Sequence, residues 1–395
     1  MTDKNRWLLP EGIEEMLPKQ AEHLERLRRQ LIDLFHTWGY ELVITPLVEY
    51  LESLLIGSGD DLDLQTFKLT DQLSGRLMGL RADITPQVAR IDAHRLRRDA
   101  PTRLCYVGAV LHTRPDGFSS TRSPVQVGAE LYGHAGIESD VEVLMLMVET
   151  LATTGITDIY LDLGHVSIFR GLARDAELSH EQELTLFDAL QRKAKPEIEA
   201  FLAQLPIQPE AQQMLVNLVD LNGGEEVLVN AREVLKGAGP SVHKALDELQ
   251  SIAAAARRRC PQVPLHFDLA ELRGYYYKTG LVFAAFVPGH GQEIARGGRY
   301  DQIGAVFGRA RPATGFSADL KTLIALSADA PQPVRAILAP HTTDSGLEGQ
   351  VQALRKQGER VIYALPGQAG TLTELGCDRI LEKQSGHWVV KEFNE

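Results

Sequence analysis

The chain has few cysteines, few aromatic residues and no long apolar segment. Its three cysteines, Cys105, Cys260 and Cys377, lie far apart among 395 residues, and this spacing indicates free thiols in a reducing compartment rather than a disulfide framework. No segment approaches the roughly 18 consecutive apolar residues of a membrane helix. The first residues lack a basic segment followed by an apolar run, so we expect no signal peptide. These absences predict a cytoplasmic protein.

Sequence patterns that mark common catalytic sites are also missing. The 12 histidines show no metal-ligand spacing, and the chain has no phosphate loop of the GxxxxGK[ST] kind. No combination of serine, histidine and aspartate indicates a hydrolase. The net charge of −12 provides no general attraction to a nucleic-acid backbone. We therefore predict no metal, no cofactor and no catalytic residue of these kinds.

The composition, 44% hydrophobic and 24% charged residues, is that of a globular protein with two or three domains. Apolar residues at helical spacing over 20–38, followed by Gly39, predict a helix that leads into a strand over 40–45. Ser139 is predicted to cap a later helix. Residues 167–262 have helical periodicity, with strand-like segments on both sides. The predicted parts are a core over 1–166 and 263–330, a helical insertion over 167–262 and a small α/β domain over 334–395.

The most informative segment is residues 103–133, where two strand-like runs enclose a polar loop at 115–124. The second run carries Gln126, Gly128 and Glu130 in a Gln-x-Gly-x-Glu pattern. The segment resembles motif 2 of the class II aminoacyl-tRNA synthetases, and is most similar to that of the histidyl enzymes. This resemblance implies an α+β fold, in which helices flank an antiparallel sheet.

Two positions depart from the pattern of those enzymes. In motif 2, His112 stands where the family has the arginine that binds ATP phosphates, and Arg114 stands where it has a glutamate. Residues 315–323 resemble motif 3, but Thr322 replaces its arginine and Asp319 replaces a glycine. The loss of both arginines removes the electrostatic stabilisation that adenylation needs. We therefore expect no synthetase activity.

The amino-acid pocket of the histidyl family is better retained. The segment 80–85 resembles Leu-Arg-Pro-Glu-x-Thr, in which the carboxylate and the hydroxyl hold the α-ammonium of histidine. Asp83 and Thr85 are the matching residues, and a carboxylate pairs well with an ammonium group. Gln126 is predicted to line the same pocket. Alternatively, Thr85 serves only as the N-cap of a helix, since Pro86 follows it.

A second segment carries the histidine specificity of the family. Residues 273–277 resemble its Arg-Gly-x-x-Tyr pattern. The resemblance implies that Arg273 binds the carboxylate of histidine, and that Tyr276 or Tyr277 holds the imidazole together with Glu130. The alternative for the tyrosine run is packing within a half-buried strand.

A synthetase-like core with a histidine pocket and no ATP arginines resembles the regulatory subunits of ATP phosphoribosyltransferase. That family implies a short-form catalytic subunit as partner, a hetero-octamer of four regulatory and four catalytic chains, and feedback inhibition by free histidine in histidine biosynthesis. A motif 1-like segment at 40–46 implies self-association. No membrane is expected as a partner, since the chain has no long apolar segment. No tRNA is expected either, since residues 335–395 carry 7 basic and 8 acidic residues, a nearly neutral balance that offers little attraction to RNA. The alternatives are a divergent histidyl-tRNA synthetase and a translation-control or kinase-linked protein with a synthetase-like module.

Overall fold

The computed structural model describes residues 7–55, 60–115, 121–272, 274–275, 277–327 and 335–392. Arg273 and Tyr276 of the predicted site, and residues 116–120 of the predicted polar loop, lie outside the described residues. The chain forms two compact units, of which the first comprises residues 1–15 and 24–329 and the second residues 16–23 and 330–395. Over the described ranges, no helix combines the length and hydropathy that a membrane crossing requires.

The first unit contains a nine-stranded sheet and a three-stranded sheet. The strand orders are β1-β5-β6-β12-β11-β10-β7-β9-β8 and β2-β4-β3. All neighbouring strands are antiparallel except β1 with β5 and β7 with β9, so the predicted antiparallel sheet has two parallel pairings. The strands are β1 (Glu41–Leu42), β2 (Val48–Tyr50), β3 (Lys68–Thr70), β4 (Leu77–Leu80), β5 (Thr102–Ala109), β6 (Val125–Tyr132), β7 (Tyr160–His165), β8 (Asn222–Gly223), β9 (Leu265–Asp268), β10 (Leu281–Phe286), β11 (Ala295–Arg299) and β12 (Ala313–Asp319).

Helices pack against both sheets. They are α1 (Pro18–Thr37), α2 (Leu51–Leu55), α3 (Asp60–Gln65), α4 (Thr85–Arg90), α5 (Ile137–Thr153), α6 (Val166–Asp175), α7 (His180–Gln191), α8 (Lys195–Leu202), α9 (Pro209–Asn217), α10 (Glu226–Val234), α11 (Pro240–Arg259) and α12 (Leu320–Leu326). Several of them, among them α5 and α11, pack against the large sheet, and α2 packs against the small one. A π-helical turn, Ile91–Leu96, continues α4, and short 3-10 turns lie at Leu218–Asp220 and Ala305–Phe307.

The first predicted helix is confirmed as α1. Its apolar face buries Leu31 and Phe35, and the Phe35 ring meets Phe316 of β12 edge-on at 6.2 Å between centroids. Gly39 has a φ of +81°, the left-handed conformation that favours glycine after a helix. The predicted cap at Ser139 is wrong. Helix α5 begins two residues earlier, and the Ser139 hydroxyl donates to the Gly136 carbonyl at 2.7 Å.

Helices α6 to α11 occupy the region where the sequence predicts a helical insertion. Their apolar side chains, such as Leu186 and Leu249, join the same hydrophobic core as Leu161 of β7. The insertion is therefore packed continuously onto the sheet, and α7 lies close enough to contribute side chains to a cavity beside it.

In the second unit, the described residues 335–392 form a four-stranded sheet and one helix. Its elements are β13 (Ile337–Ala339), α13 (Ser345–Lys356), β14 (Val361–Tyr363), β15 (Arg379–Gln384) and β16 (His387–Glu392), with the strand order β14-β13-β15-β16. Strands β13 and β14 are parallel, as the predicted β-α-β pattern requires. The antiparallel hairpin of β15 and β16 was not predicted.

Candidate functional site

A cavity of about 1080 Å³ lies beside the large sheet of the first unit. Its wall includes parts of β6, β10, β11 and β12, the start of α4, the end of α7 and residues of the segment 274–278. All the sequence-predicted site residues that the structure describes line this cavity, namely Asp83, Thr85, Gln126, Glu130 and Tyr277. Segments that are far apart in the chain therefore meet in one place.

Glu130 is a buried carboxylate that three hydroxyl groups hold. It lies on β6 and is 1% exposed. Its Oε1 accepts hydrogen bonds from Tyr106 at 3.0 Å and from Thr85 at 3.2 Å, and its Oε2 accepts one from Tyr300. Burial raises the pKa of Glu130 to about 8, although the charge of Lys278 opposes this change. The site thus holds a fixed acceptor away from bulk water.

A glycine on the neighbouring strand makes room for this carboxylate. Gly315 of β12 pairs with Glu130 of β6. A Cβ at position 315 would overlap the Glu130 carboxylate and would lie 2.7 Å from the Tyr300 hydroxyl oxygen. The glycine at 315 is therefore required for the geometry of the acceptor.

Asp83 and Gln126 form a second polar group in the cavity. Gln126 donates from Nε2 to Asp83 Oδ1 at 2.8 Å, and its Oε1 accepts from the Ile84 N–H at 2.8 Å. The Thr85 N–H also donates to Asp83 Oδ1, at 2.9 Å. Within the described residues, no hydrogen bond uses Asp83 Oδ2. The carboxylate is thus oriented by its neighbours and keeps one oxygen for a ligand.

Thr85 does not cap a helix. It is the first residue of α4, and the preceding cap residue, Ile84, makes no side-chain capping bond. The Thr85 hydroxyl lies 3.2 Å from both the Tyr106 hydroxyl and Glu130 Oε1. The helix-cap alternative is therefore wrong, and the hydroxyl contributes to the cavity wall.

The tyrosine run divides between two environments. Tyr275 lines the cavity beside α7, where its hydroxyl donates to Glu183 and its ring stacks on Phe187 at 5.0 Å. Tyr277 lines the cavity, and its hydroxyl end lies over Gly274, where a Cβ would be 2.9 Å from the hydroxyl oxygen.

Sequence reasoning missed three residues of the site: Tyr106, Lys278 and Tyr300. The tyrosines hold Glu130, and Lys278 lines the same cavity while only 7% exposed. Burial lowers the pKa of Lys278 to about 8, and the charge of Glu130 opposes this change. Lys278 directly follows the tyrosine run, but its burial is visible only in the folded chain.

The end of the cavity that corresponds to the lost ATP contacts is lined by His112, Arg114, Asp319 and Thr322. His112 Nε2 lies 2.9 Å from the Ala82 carbonyl oxygen. Asp319 caps α12, since its carboxylate accepts from the N–H groups at 321 and 322, at 3.2 and 3.3 Å, and from the Val125 N–H at 2.9 Å. The Asp319 carboxylate therefore stabilises the start of α12 and also places a negative charge in the cavity wall.

Comparison with known proteins shows which families the sequence matches. Residues 12–323 match the sequence model of the family described as histidyl-tRNA synthetase. Residues 334–391 match that of the ATP phosphoribosyltransferase subunit HisZ C-terminal domain. The ATP phosphoribosyltransferase regulatory subunit of Thioalkalivibrio sulfidiphilus is 63% identical over 398 residues, which cover 100% of both chains.

Solved structures show the same fold. An ATP phosphoribosyltransferase regulatory subunit/histidyl-tRNA synthetase from Bacillus halodurans C has a TM-score of 0.84 and 26% identity, with 96% of this chain and 99% of that chain covered. The histidyl-tRNA synthetase of Nostoc sp. PCC 7120, at 21% identity, has a TM-score of 0.77 and covers 98% and 97%. The predicted class II synthetase-like fold is thus confirmed. The chain belongs to the family of ATP phosphoribosyltransferase regulatory subunits.

Proposed function

We propose that this chain binds free histidine in the cavity and regulates a short-form catalytic subunit of ATP phosphoribosyltransferase, a glycosyltransferase, without catalysing a reaction itself. One observation carries the proposal. The polar groups that suit an amino acid are assembled around Glu130 and Asp83, whereas the positions of both ATP-binding arginines hold His112 and Thr322. Such a cavity retains recognition and lacks the groups for adenylation.

Histidine fits the distribution of charge in the cavity. The open oxygen of Asp83 suits the α-ammonium, through a charge-assisted hydrogen bond. The buried Glu130 suits an imidazole N–H, because its carboxylate, although held by three hydroxyl groups, has capacity to accept a further hydrogen bond. Arg273 is assigned to the α-carboxylate by its match to the family pattern. Gln126 and Thr85 act by holding Asp83 and Glu130 in place.

Adenylation is disfavoured at the other end of the cavity. A triphosphate bound there would meet the Asp319 carboxylate, which the backbone of α12 fixes in position. A neutral threonine at 322 offers no charge to offset it. Electrostatic stabilisation by arginine is the main contribution that phosphate chemistry requires of a protein. We accordingly assign no synthetase activity and no tRNA to this chain.

Self-association belongs to the same proposal. The short edge strand β1 and the residues after it expose three aliphatic side chains, since Leu42 is 41%, Ile44 83% and Leu47 46% exposed. A cluster of exposed aliphatic residues beside a strand edge is typical of an interface. The dimer formed through this segment is the assembly onto which catalytic subunits bind, in the hetero-octamer that the family resemblance implies.

Two measurements on the purified chain test the proposal. Calorimetry should show binding of L-histidine, and histidine-dependent exchange of pyrophosphate into ATP should be absent at any ATP concentration. Robust exchange would instead support the second candidate, a divergent histidyl-tRNA synthetase. The match of residues 12–323 to the histidyl-tRNA synthetase family is the observation that favours this candidate. The absence of both binding and exchange would refute the histidine assignment.

A further inference from the structure

Lys278 is held so that its side chain belongs to the cavity. Its N–H donates to the Gly274 carbonyl at 2.8 Å, and its carbonyl accepts from Arg170 Nη1 of α6 at 2.6 Å. The residue is 7% exposed and lines the cavity. The backbone of Lys278 is therefore hydrogen-bonded on both sides, and its side chain is largely shielded from bulk water.

The ammonium group of Lys278 has aromatic neighbours rather than a hydrogen-bond acceptor. Its Nζ lies 5.0 Å from the centre of the Tyr300 ring and 5.3 Å from that of Tyr277. Within the described ranges, Nζ forms no hydrogen bond or ion pair. A buried ammonium group ordinarily has such a partner, so three N–H donors face the cavity unused.

Tyr300 places Lys278 and Glu130 in the same part of the cavity. The ammonium group of Lys278 lies over the face of the Tyr300 ring, and the Tyr300 hydroxyl donates to Glu130. The two charges influence each other, since each opposes the effect of burial on the pKa of the other. No direct ion pair joins these two described side chains. A donor and an acceptor thus face one cavity without satisfying each other.

A ligand group that lies between them needs an N–H for Glu130 and a lone pair for Lys278. Neutral imidazole has both, one on each ring nitrogen. Of the two predicted tyrosines, Tyr276 lies outside the described residues, and the hydroxyl end of Tyr277 lies over Gly274.

We propose that Lys278 determines specificity by donating a hydrogen bond to the imidazole nitrogen that faces away from Glu130. This inference rests on the proposed binding of histidine in the cavity. In this arrangement the imidazole N–H faces Glu130, and the lone pair of the other ring nitrogen faces Lys278. A methyl group on the nitrogen that faces Glu130 therefore removes that hydrogen bond, and one on the nitrogen that faces Lys278 removes both, because the other nitrogen then has no N–H to donate. Either methyl group also places a carbon atom against a buried polar group.

The test uses calorimetry with L-histidine and its two ring-methylated isomers, 1-methyl- and 3-methyl-L-histidine. For the wild-type chain, each isomer should bind at least about 10-fold more weakly than histidine. Lys278→Met should weaken histidine binding by about 10- to 150-fold, the range for a hydrogen bond to a charged group. It should also reduce the penalty of one methyl isomer and leave that of the other, because only one methyl group faces position 278. Lys236→Met, at an exposed lysine outside the cavity wall, is the matched control and should leave histidine binding unchanged.

Several results would overturn the inference. One is a Lys278→Met variant that binds histidine as the wild type does, and another is a variant that keeps both methyl penalties. A variant that loses its preference for histidine over histidinol, which lacks the carboxylate, would move Lys278 to the carboxylate end. If the variant does not fold, a wild-type chain that binds both methyl isomers as well as histidine overturns it equally. A wild-type chain that binds no histidine refutes the proposed function instead.

Discussion

Replacing the buried pair Glu130 and Lys278 together should stabilise the protein while it abolishes histidine binding. Both charged groups lie in the cavity wall, and burial moves the pKa of Glu130 from its usual 4.5, and that of Lys278 from its usual 10.5, to about 8. A pKa difference of one between the folded and the unfolded chain corresponds to about 1.4 kcal/mol. The raised pKa of Glu130 therefore sets a ceiling of roughly 5 kcal/mol on the stabilisation that its removal could yield.

The expected gain is smaller than this ceiling. Replacement of a buried ion pair by neutral groups of similar volume typically stabilises a protein by about 1–4 kcal/mol. Glu130 and Lys278 form no direct ion pair, so we expect a gain near the lower end of that range for Glu130→Gln combined with Lys278→Met. Each single variant should be less stable than the double variant, because the remaining group stays buried without the opposite charge that offsets the effect of its burial.

The effect of pH on stability has a defined sign. Between about pH 4.5 and 8 the folded state retains the Glu130 proton more strongly than the unfolded state does, so this group lowers stability as the pH rises. Between about pH 8 and 10.5 the unfolded chain binds the Lys278 proton more strongly, so this group raises stability with pH. The advantage of the double variant should therefore be largest near pH 8.

Urea unfolding of the wild type, the two single variants and the double variant, from pH 5 to pH 10 without histidine, measures these differences. We expect a double variant that is more stable than the wild type and than both single variants. A double variant that is destabilised by the sum of its two single effects would refute the reasoning, because it would show that the two charges do not interact.

Three further predictions concern the cavity and the exposed edge. Glu130→Ala should weaken histidine binding by about 5- to 150-fold without unfolding the chain, as calorimetry and thermal melting would show. Gly315→Ala should displace the Glu130 carboxylate, destabilise the chain by about 1–3 kcal/mol and weaken histidine binding. The control Gly349→Ala lies in α13, where a Cβ meets nothing within 4 Å, and should stabilise the chain by about 0.5–1 kcal/mol. Ile44→Glu should dissociate the dimer in analytical ultracentrifugation, and Leu73→Glu, at a hairpin turn where the leucine is 98% exposed, should not.

Local patterns in the sequence predicted the elements that short-range physics controls. Helix α1 and its glycine follow from apolar periodicity and from a positive φ that only glycine adopts without strain. The unpredicted hairpin of β15 and β16 had a local signal as well. Ser385 and Gly386, at φ of 48° and 86°, form a two-residue turn with both residues in the left-handed region.

The candidate site was predictable only as far as its residues fall in recognisable motifs. Asp83, Gln126 and Glu130 were found in this way, and the structure places them in one cavity. Tyr300 was not found, because it reaches Glu130 across 170 positions of the chain. Lys278 was not found for a similar reason, because its burial depends on how several strands and α6 assemble.

The central claim is that this chain carries the histidine signal to a catalytic subunit. Its most direct test is phosphoribosyl-ATP formation by the short-form catalytic subunit, with and without this chain, over a titration of histidine. We predict that the wild-type chain activates the catalytic subunit and confers inhibition by histidine. The double variant Asp83→Ala and Glu130→Ala should activate equally and remain insensitive to histidine. A complex with the double variant that histidine inhibits as strongly as the wild-type complex would contradict this claim, because the signal would then be read by the catalytic subunit.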